Sequence, residues 1–165
     1  QRFALCTLHR AENVDDAKIL DWILGELNDL SKEIPLILPV HPRTKAKLKE
    51  FGLLEKISPQ IKLIDPVGFL DVLALQSSSS LIVTDSGGMQ KEAFFQKKPC
   101  VTVRSETEWK ELLDGGHNRL AKPLTNCIKD KAKEALEANL DWSIDLYGDG
   151  RSSETIADSL LKKTG

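Results

Sequence analysis

Short apolar runs alternate with longer stretches of helical spacing along nearly the whole chain. Residues 3–8 (FALCTL) have the length and continuity of a buried strand. At 15–34, Ile19, Leu20, Ile23, Leu24, Leu27 and Leu30 recur every three or four positions, which predicts an amphipathic helix. Asp15 or Asp16 can cap its start, and Pro35 ends it. Residues 36–40 predict a second strand closed by His41-Pro42, and 44–51 a helix stopped by Gly52. Further strands are expected at 61–64, 81–84 and 100–103, with a weak sixth near 118–121. Helices are expected at 69–76, 89–97, 106–113, 130–139 and 153–162. The strands are short, continuous and β-branched, as parallel strands covered on both faces should be. The expected fold is α/β: one Rossmann-like domain over 1–165, built on a doubly wound parallel sheet. Ligands in such sheets bind beyond the carboxyl ends of the strands, where the unusual residue clusters fall.

Composition narrows the function more than the fold. Hydrophobic residues make up 41% and charged residues 29%, with a formal net charge of −2. That balance implies no general attraction to nucleic acid or membrane, so an anionic ligand needs a local site. No signal peptide or membrane-length apolar run is recognisable, and a cytoplasmic location is expected. Cys6, Cys100 and Cys127 are widely spaced, with no CxxC pair, and Cys6 and Cys100 lie in apolar runs. All three are expected to be free thiols, with Cys6 and Cys100 buried, rather than zinc ligands or a redox couple. No metal-ligand spacing occurs elsewhere. The sequence opens at Gln1 and enters a strand by Phe3, as a piece of a longer protein would.

Four clusters carry candidate chemistry. Thr84-Asp85-Ser86-Gly87-Gly88 stands at a strand-to-helix junction. Its glycines admit a close ligand, Ser86 can cap the helix, and the helix start favours phosphate. Glu92 lies one turn beyond Gly88, suited to a pair of ribose hydroxyls rather than to the phosphates. The alternative is a glycine-containing turn followed by a surface glutamate. Neither a GxGxxG fingerprint nor a Walker lysine loop is present. The second cluster, Thr7-Leu8-His9-Arg10-Ala11-Glu12-Asn13, crowds a histidine and an arginine into a loop past the first strand. His9 can donate to a phosphate or leaving oxygen, and Arg10 offers a charged fork; local helix capping is the competing reading. The third is His41-Pro42-Arg43, equally compatible with a loop hydrogen-bonder. The fourth is Arg104, where the fifth strand ends, placed to clamp phosphate or to stand solvated at the surface. Trp22, Trp109 and Trp142 are expected to pack, and His117 to be structural.

Together these stretches resemble the non-hydrolysing UDP-N-acetylglucosamine 2-epimerases. The resemblance runs through TLHRAEN (7–13), PVHPR (39–43), IDPVGFLDVLAL (64–75), LIVTDSGGMQKEA (81–93), VTVRSETEW (101–109) and YGDGRSSETI (147–156). It implies one half of a two-domain glycosyltransferase-B-type fold, here the C-terminal half, with the active site between the domains. On that likeness Ser86, Gly87 and Gly88 hold the diphosphate and Glu92 the ribose. Uracil lies near Val67 and Val72, Arg104 is by the phosphates, and His9 is catalytic. Arg10 and His41 match an activator site present in some bacterial members.

The implied reaction interconverts UDP-N-acetylglucosamine and UDP-N-acetylmannosamine by elimination and re-addition of UDP. It uses no cofactor and no metal, and the full-length protein is expected to be a homodimer. The family's catalytic carboxylates belong to the N-terminal domain, so this chain alone is expected to bind UDP and be inactive. Three positions depart from the family pattern. Ala11 replaces a commonly basic residue, Lys91 a frequent glutamate, and Val72 an aromatic of some members. A UDP-sugar-dependent glycosyltransferase domain and a stand-alone UDP-sugar-binding module are the alternatives.

Overall fold

The computed structural model describes residues 2–125 and 127–163, so both ends of the expected 1–165 span lie outside the described residues. The strands are β1 (Ala4–Thr7), β2 (Leu36–Pro39), β3 (Ile61–Ile64), β4 (Leu81–Thr84), β5 (Cys100–Thr102) and β6 (Asn118–Leu120). All pair in parallel, in the order β3-β2-β1-β4-β5-β6. The chain builds outward from β1 to β3, returns to the other side of β1, and builds outward again. Connections after β1 and β4 therefore diverge and leave a crevice at the carboxyl ends of these two strands.

The helices are α1 (Ala11–Val14), α2 (Ala17–Ser31), α3 (Pro42–Glu50), α4 (Phe69–Ser78), α5 (Gly87–Phe95), α6 (Lys110–Asp114), α7 (Ile128–Glu137) and α8 (Ser152–Lys163). The periodic leucines and isoleucines of α2 and the Ile128, Ala132 and Ala135 stripe of α7 join one core with Cys6, Leu81, Val83 and Val101. Strand side chains alternate, so Ile82 faces the opposite way and packs with Cys100, Met89, Ala93 and Val72 under α4 and α5. Cys6 and Cys100 are buried free thiols, as expected. Burial pushes the Cys100 thiol up to about 12; burial, followed by the Asp85 charge, pushes Cys6 up as well.

Several elements differ from the sequence expectation, some of them for identifiable reasons. The loop at 7–13 contains a helical turn, α1, and the long helix begins only at Ala17. Asp16 is extended and accepts from the N–H groups of Lys18 and Ile19 at 2.8 and 3.0 Å, while Asp15 pairs with Arg43 instead. Helix α5 starts two residues before the expected 89, because Ser86 caps it and both glycines join its first turn. Residues 106–109 stay outside α6 because their polar groups bond elsewhere. Thr107 Oγ1 donates to Gln90 at 2.6 Å and accepts from Trp109 N–H at 3.2 Å, and Trp109 Nε1 donates to Gly87 O at 2.8 Å. A single 3₁₀ turn at Leu54–Lys56 had no distinct sequence signal. No helix among the described residues is long and apolar enough to cross a membrane.

Candidate functional site

A cleft of about 280 Å³ opens at the carboxyl ends of β1, β2 and β4. Thr7, Leu8 and His9 line it from the end of β1, Pro39 and His41 from the end of β2, Pro66 and Val67 from the approach to α4, Val72 from α4 itself, and Ser86 and Met89 from the cap and first turn of α5. Five of the expected site residues thus share one wall-to-wall space: His9, His41, Val67, Val72 and Ser86. Its valine and proline side is apolar and its histidine and serine side is polar, a division that suits a flat base at one end and charged oxygens at the other.

The polar end is built on the start of α5. Ser86 Oγ accepts the Met89 N–H at 3.4 Å, and Ser86 N–H donates to Thr84 Oγ1 at 3.0 Å. Thr84 Oγ1 also shares a 2.7 Å bond with Thr7 Oγ1, which joins the two central strands under the cleft. Neither Gly87 nor Gly88 has a positive φ. Space at Gly87 is tight: a Cβ there would lie 2.3 Å from Glu108 Oε1, the far end of a flexible side chain. Glu108 therefore lies directly beside this helix start, whose dipole favours an anion.

Glu92 stands one turn along α5, its Oε1 3.9 Å from where a Gly88 Cβ would be. Gln76, fully buried at the end of α4, donates from Nε2 to Glu92 Oε2 at 2.7 Å. One carboxylate oxygen is thereby fixed, and among the described residues no hydrogen bond reaches Oε1. Gln76 was not singled out from the sequence, since a glutamine inside an apolar helical run reads as surface.

The His9 segment is held by Asp85, whose side chain is fully buried. Asp85 accepts from His9 N–H at 3.0 Å, Arg10 N–H at 2.9 Å and Asn13 Nδ2 at 3.1 Å. His9 Nδ1 is 3.0 Å from Asp85 Oδ1. Asn13 spends its other amide hydrogen on Val103 O at 2.9 Å, and Thr44 Oγ1 donates to Leu8 O at 2.6 Å. Sequence reasoning had Asp85 only as part of the glycine loop; its partners lie over 70 residues away, and spacing carries no signal of them. His41 caps α3 by accepting Arg43 N–H at Nδ1, 3.2 Å, and its ring centroid is 6.1 Å from that of His9.

Arg104 does not line this cleft. Its side chain is 12% exposed and bonds Glu108 Oε2 from Nη1 at 2.7 Å. It borders a neighbouring recess of about 180 Å³ with Glu12, Asn13 and Lys122. Arg10 Nη2 comes within 3.9 Å of a Gly87 Cβ position, on the Glu108 side. The Glu108 carboxyl is held below its usual range by its own backbone N–H, and further by the Arg104 hydrogen bond and the Arg104 and Arg10 charges, against a smaller opposing effect of burial than of that first bond. Two arginines and a glutamate thus flank the outer side of the α5 start. Lys91 has a structural explanation: its Nζ sits 4.5 Å from the Trp109 ring centroid and 4.3 Å from that of Tyr147. His117 is buried, with Nε2 2.8 Å from Asp141 O and its ring against Phe94 and Trp142, a structural role as expected. Among the described residues, no three His, Cys, Asp or Glu side chains are grouped to hold a metal ion.

Comparison with known proteins finds relatives over nearly the whole chain. The UDP-2,3-diacetamido-2,3-dideoxy-D-glucuronate 2-epimerase of Pseudomonas aeruginosa is 44% identical over 161 residues, covering 97% of this chain and 44% of that protein. A UDP-N-acetylglucosamine 2-epimerase of Methanococcus maripaludis is 43% identical over 160 residues, covering 94% of this chain and 43% of the relative. The crystal structure of Methanocaldococcus jannaschii UDP-GlcNAc 2-epimerase in complex with UDP-GlcNAc and UDP superposes with a TM-score of 0.88 at 38% identity, over 98% of this chain and 45% of that one. The chain therefore spans less than half the length of these relatives. With the family model for UDP-N-acetylglucosamine 2-epimerase matching residues 1–161, the chain belongs to that family.

Proposed function

We propose that this chain is the UDP-holding half of a non-hydrolysing epimerase that inverts C2 of a UDP-linked 2-acetamido sugar. The observation that carries the reading is the single cleft shared by His9, Val67, Val72 and Ser86, beside the start of α5 with Glu92 one turn on. Uracil packs on the Val67 and Val72 side. The ribose hydroxyls reach Glu92 Oε1. The diphosphate sits against Ser86, Gly87 and Gly88, with Arg10 and Arg104 supplying positive charge from the outer side.

The chemistry is an elimination followed by an addition. A base removes the C2 proton, the C1–oxygen bond breaks, and UDP leaves with the bonding pair, giving a 2-acetamidoglucal. UDP then adds back while C2 is protonated from the other face. Electrons balance without an external oxidant or reductant. This half stabilises the leaving diphosphate, and His9 serves its oxygen. The groups that move the C2 proton belong to the remainder of the full-length enzyme, so this chain alone binds and does not turn over.

The sugar is the open element. The two relatives of nearly equal identity are named for different sugars, UDP-N-acetylglucosamine and UDP-2,3-diacetamido-2,3-dideoxy-D-glucuronate, and share UDP and epimerisation at C2. A UDP-recognising half is what two such enzymes have in common. Calorimetric titration of this chain with UDP, and with ADP to hold the diphosphate constant, tests the reading. Binding of UDP and not ADP supports it, and equal binding of both refutes the uracil assignment. Conversion of UDP-N-acetylglucosamine by the full-length enzyme without an acceptor separates the epimerase from a transferase.

A further inference from the structure

Asp85 is a fully buried carboxylate at the floor of the cleft. Among the described residues, the donors that meet its two oxygens all come from one short segment, His9 to Asn13. No lysine or arginine pairs with it among those residues; His9 is the one side chain placed to bring it positive charge. A buried carboxylate needs donors on every lone pair it cannot show to water. The two backbone N–H groups and Asn13 supply three, and the contact with His9 Nδ1 at 3.0 Å supplies the fourth only if that nitrogen carries a hydrogen.

We propose that Asp85 is the positioning residue for His9: it fixes the ring as the Nδ1–H form and turns Nε2 toward the cleft. A carboxylate is an acceptor only, so it selects the tautomer as well as the orientation. Backbone bonds from His9 and Arg10 to the same carboxylate fix where the ring is rooted, and the Nδ1 contact fixes how it is turned. His9 lines the cleft, and with Nδ1 engaged its remaining polar atom is Nε2. A neutral ring then presents a lone pair there, and a protonated ring presents an N–H, without any movement of the side chain. That arrangement serves a leaving oxygen that must be stabilised in one direction and released in the other. The role at the leaving oxygen rests on the proposed nucleotide site; the tautomer does not.

The test is a long-range ¹⁵N–¹H spectrum of the ¹⁵N-labelled chain, which shows for each of its histidines which ring nitrogen holds the proton. His9 is assigned by the loss of its signals in His9→Gln. The expected result is the Nδ1–H form for neutral His9, the minor form of free histidine. In Asp85→Asn the amide can turn its NH₂ toward the ring, and His9 changes to the Nε2–H form. An Nε2–H tautomer in the unsubstituted chain overturns the proposal, whether or not Asp85→Asn folds. So does an Asp85→Asn chain that folds and keeps Nδ1–H. UDP is then added: a shift at His9 Nε2 supports the nucleotide site. An Nδ1–H ring that ignores saturating UDP overturns that site and leaves the Asp85 assignment standing.

Discussion

Gly87→Ala separates ligand binding from folding at the start of α5. The added Cβ would fall 2.3 Å from Glu108 Oε1, 3.4 Å from its Cδ and 3.9 Å from Arg10 Nη2. The first contact is the far end of a flexible side chain that is 45% exposed, so Glu108 swings into solvent and releases Arg104. A partly exposed ion pair is worth about 0–1 kcal/mol. Alanine returns up to about 1 kcal/mol of helix propensity over glycine. The two are opposite in sign, so stability changes by less than about 1 kcal/mol, or about 2–4 °C in Tm for a chain of this size. Binding behaves differently. The methyl group stands where the diphosphate is proposed to meet the backbone, and a hydrogen bond to a charged group contributes about 1.5–3 kcal/mol. UDP affinity should therefore fall about 10- to 150-fold. Calorimetry with UDP and a thermal melt on the same sample read both quantities. Affinity within about threefold of the unsubstituted chain would remove the Gly87 backbone from the site. The Gly87→Ala, Glu108→Ala double variant isolates the cause: binding restored there would assign the loss to the displaced Glu108.

Other consequences are equally direct. Glu92→Ala should bind UDP and 2′-deoxy-UDP alike, whereas the unsubstituted chain prefers UDP by about 10-fold or more, as a charge-assisted bond implies; retained preference in the variant contradicts the ribose role. Leu27→Ala, 1% exposed in the main core, should cost about 2–5 kcal/mol, seen as a lower midpoint in urea with an unchanged slope. Cys100 has its thiol raised from 9.0 to about 12, so the unfolded chain loses that proton first and stability declines as pH rises from 9 toward 12. Cys100→Ala should show a shallower decline in melts over that range, and an unchanged slope would refute the linkage.

The sheet was legible because each strand is an apolar run bounded by a turn signal. The leucines of α2 and their cap at Asp16 were legible for the same kind of reason, a local period ending at a local acceptor. Ser86 was also readable as a cap, but the glycines after it looked like a turn and are helical. Neither has an unusual φ, and the closeness of Gly87 to Glu108 is a property of three-dimensional neighbours. Gln76 and Asp85 were missed as working residues because their importance comes from Glu92 on another helix and from His9 beside another strand. Arg104 was placed correctly at the end of β5, yet its side chain turns to Glu108, which sequence order alone could not show.

The dependence of the His9 loop on Asp85 also dictates when the site can exist during folding. The two residues are 76 positions apart, and they meet only once β1 and β4 are side by side. Everything from α1 to α4 must be spooled out and closed into that loop first, at an entropic cost that slows long-range pairing. A nascent chain that has emerged only as far as β3 holds its histidine and no partner for it. Refolding followed at His9 should therefore report one of the late steps, after helical signals from α2 have already risen.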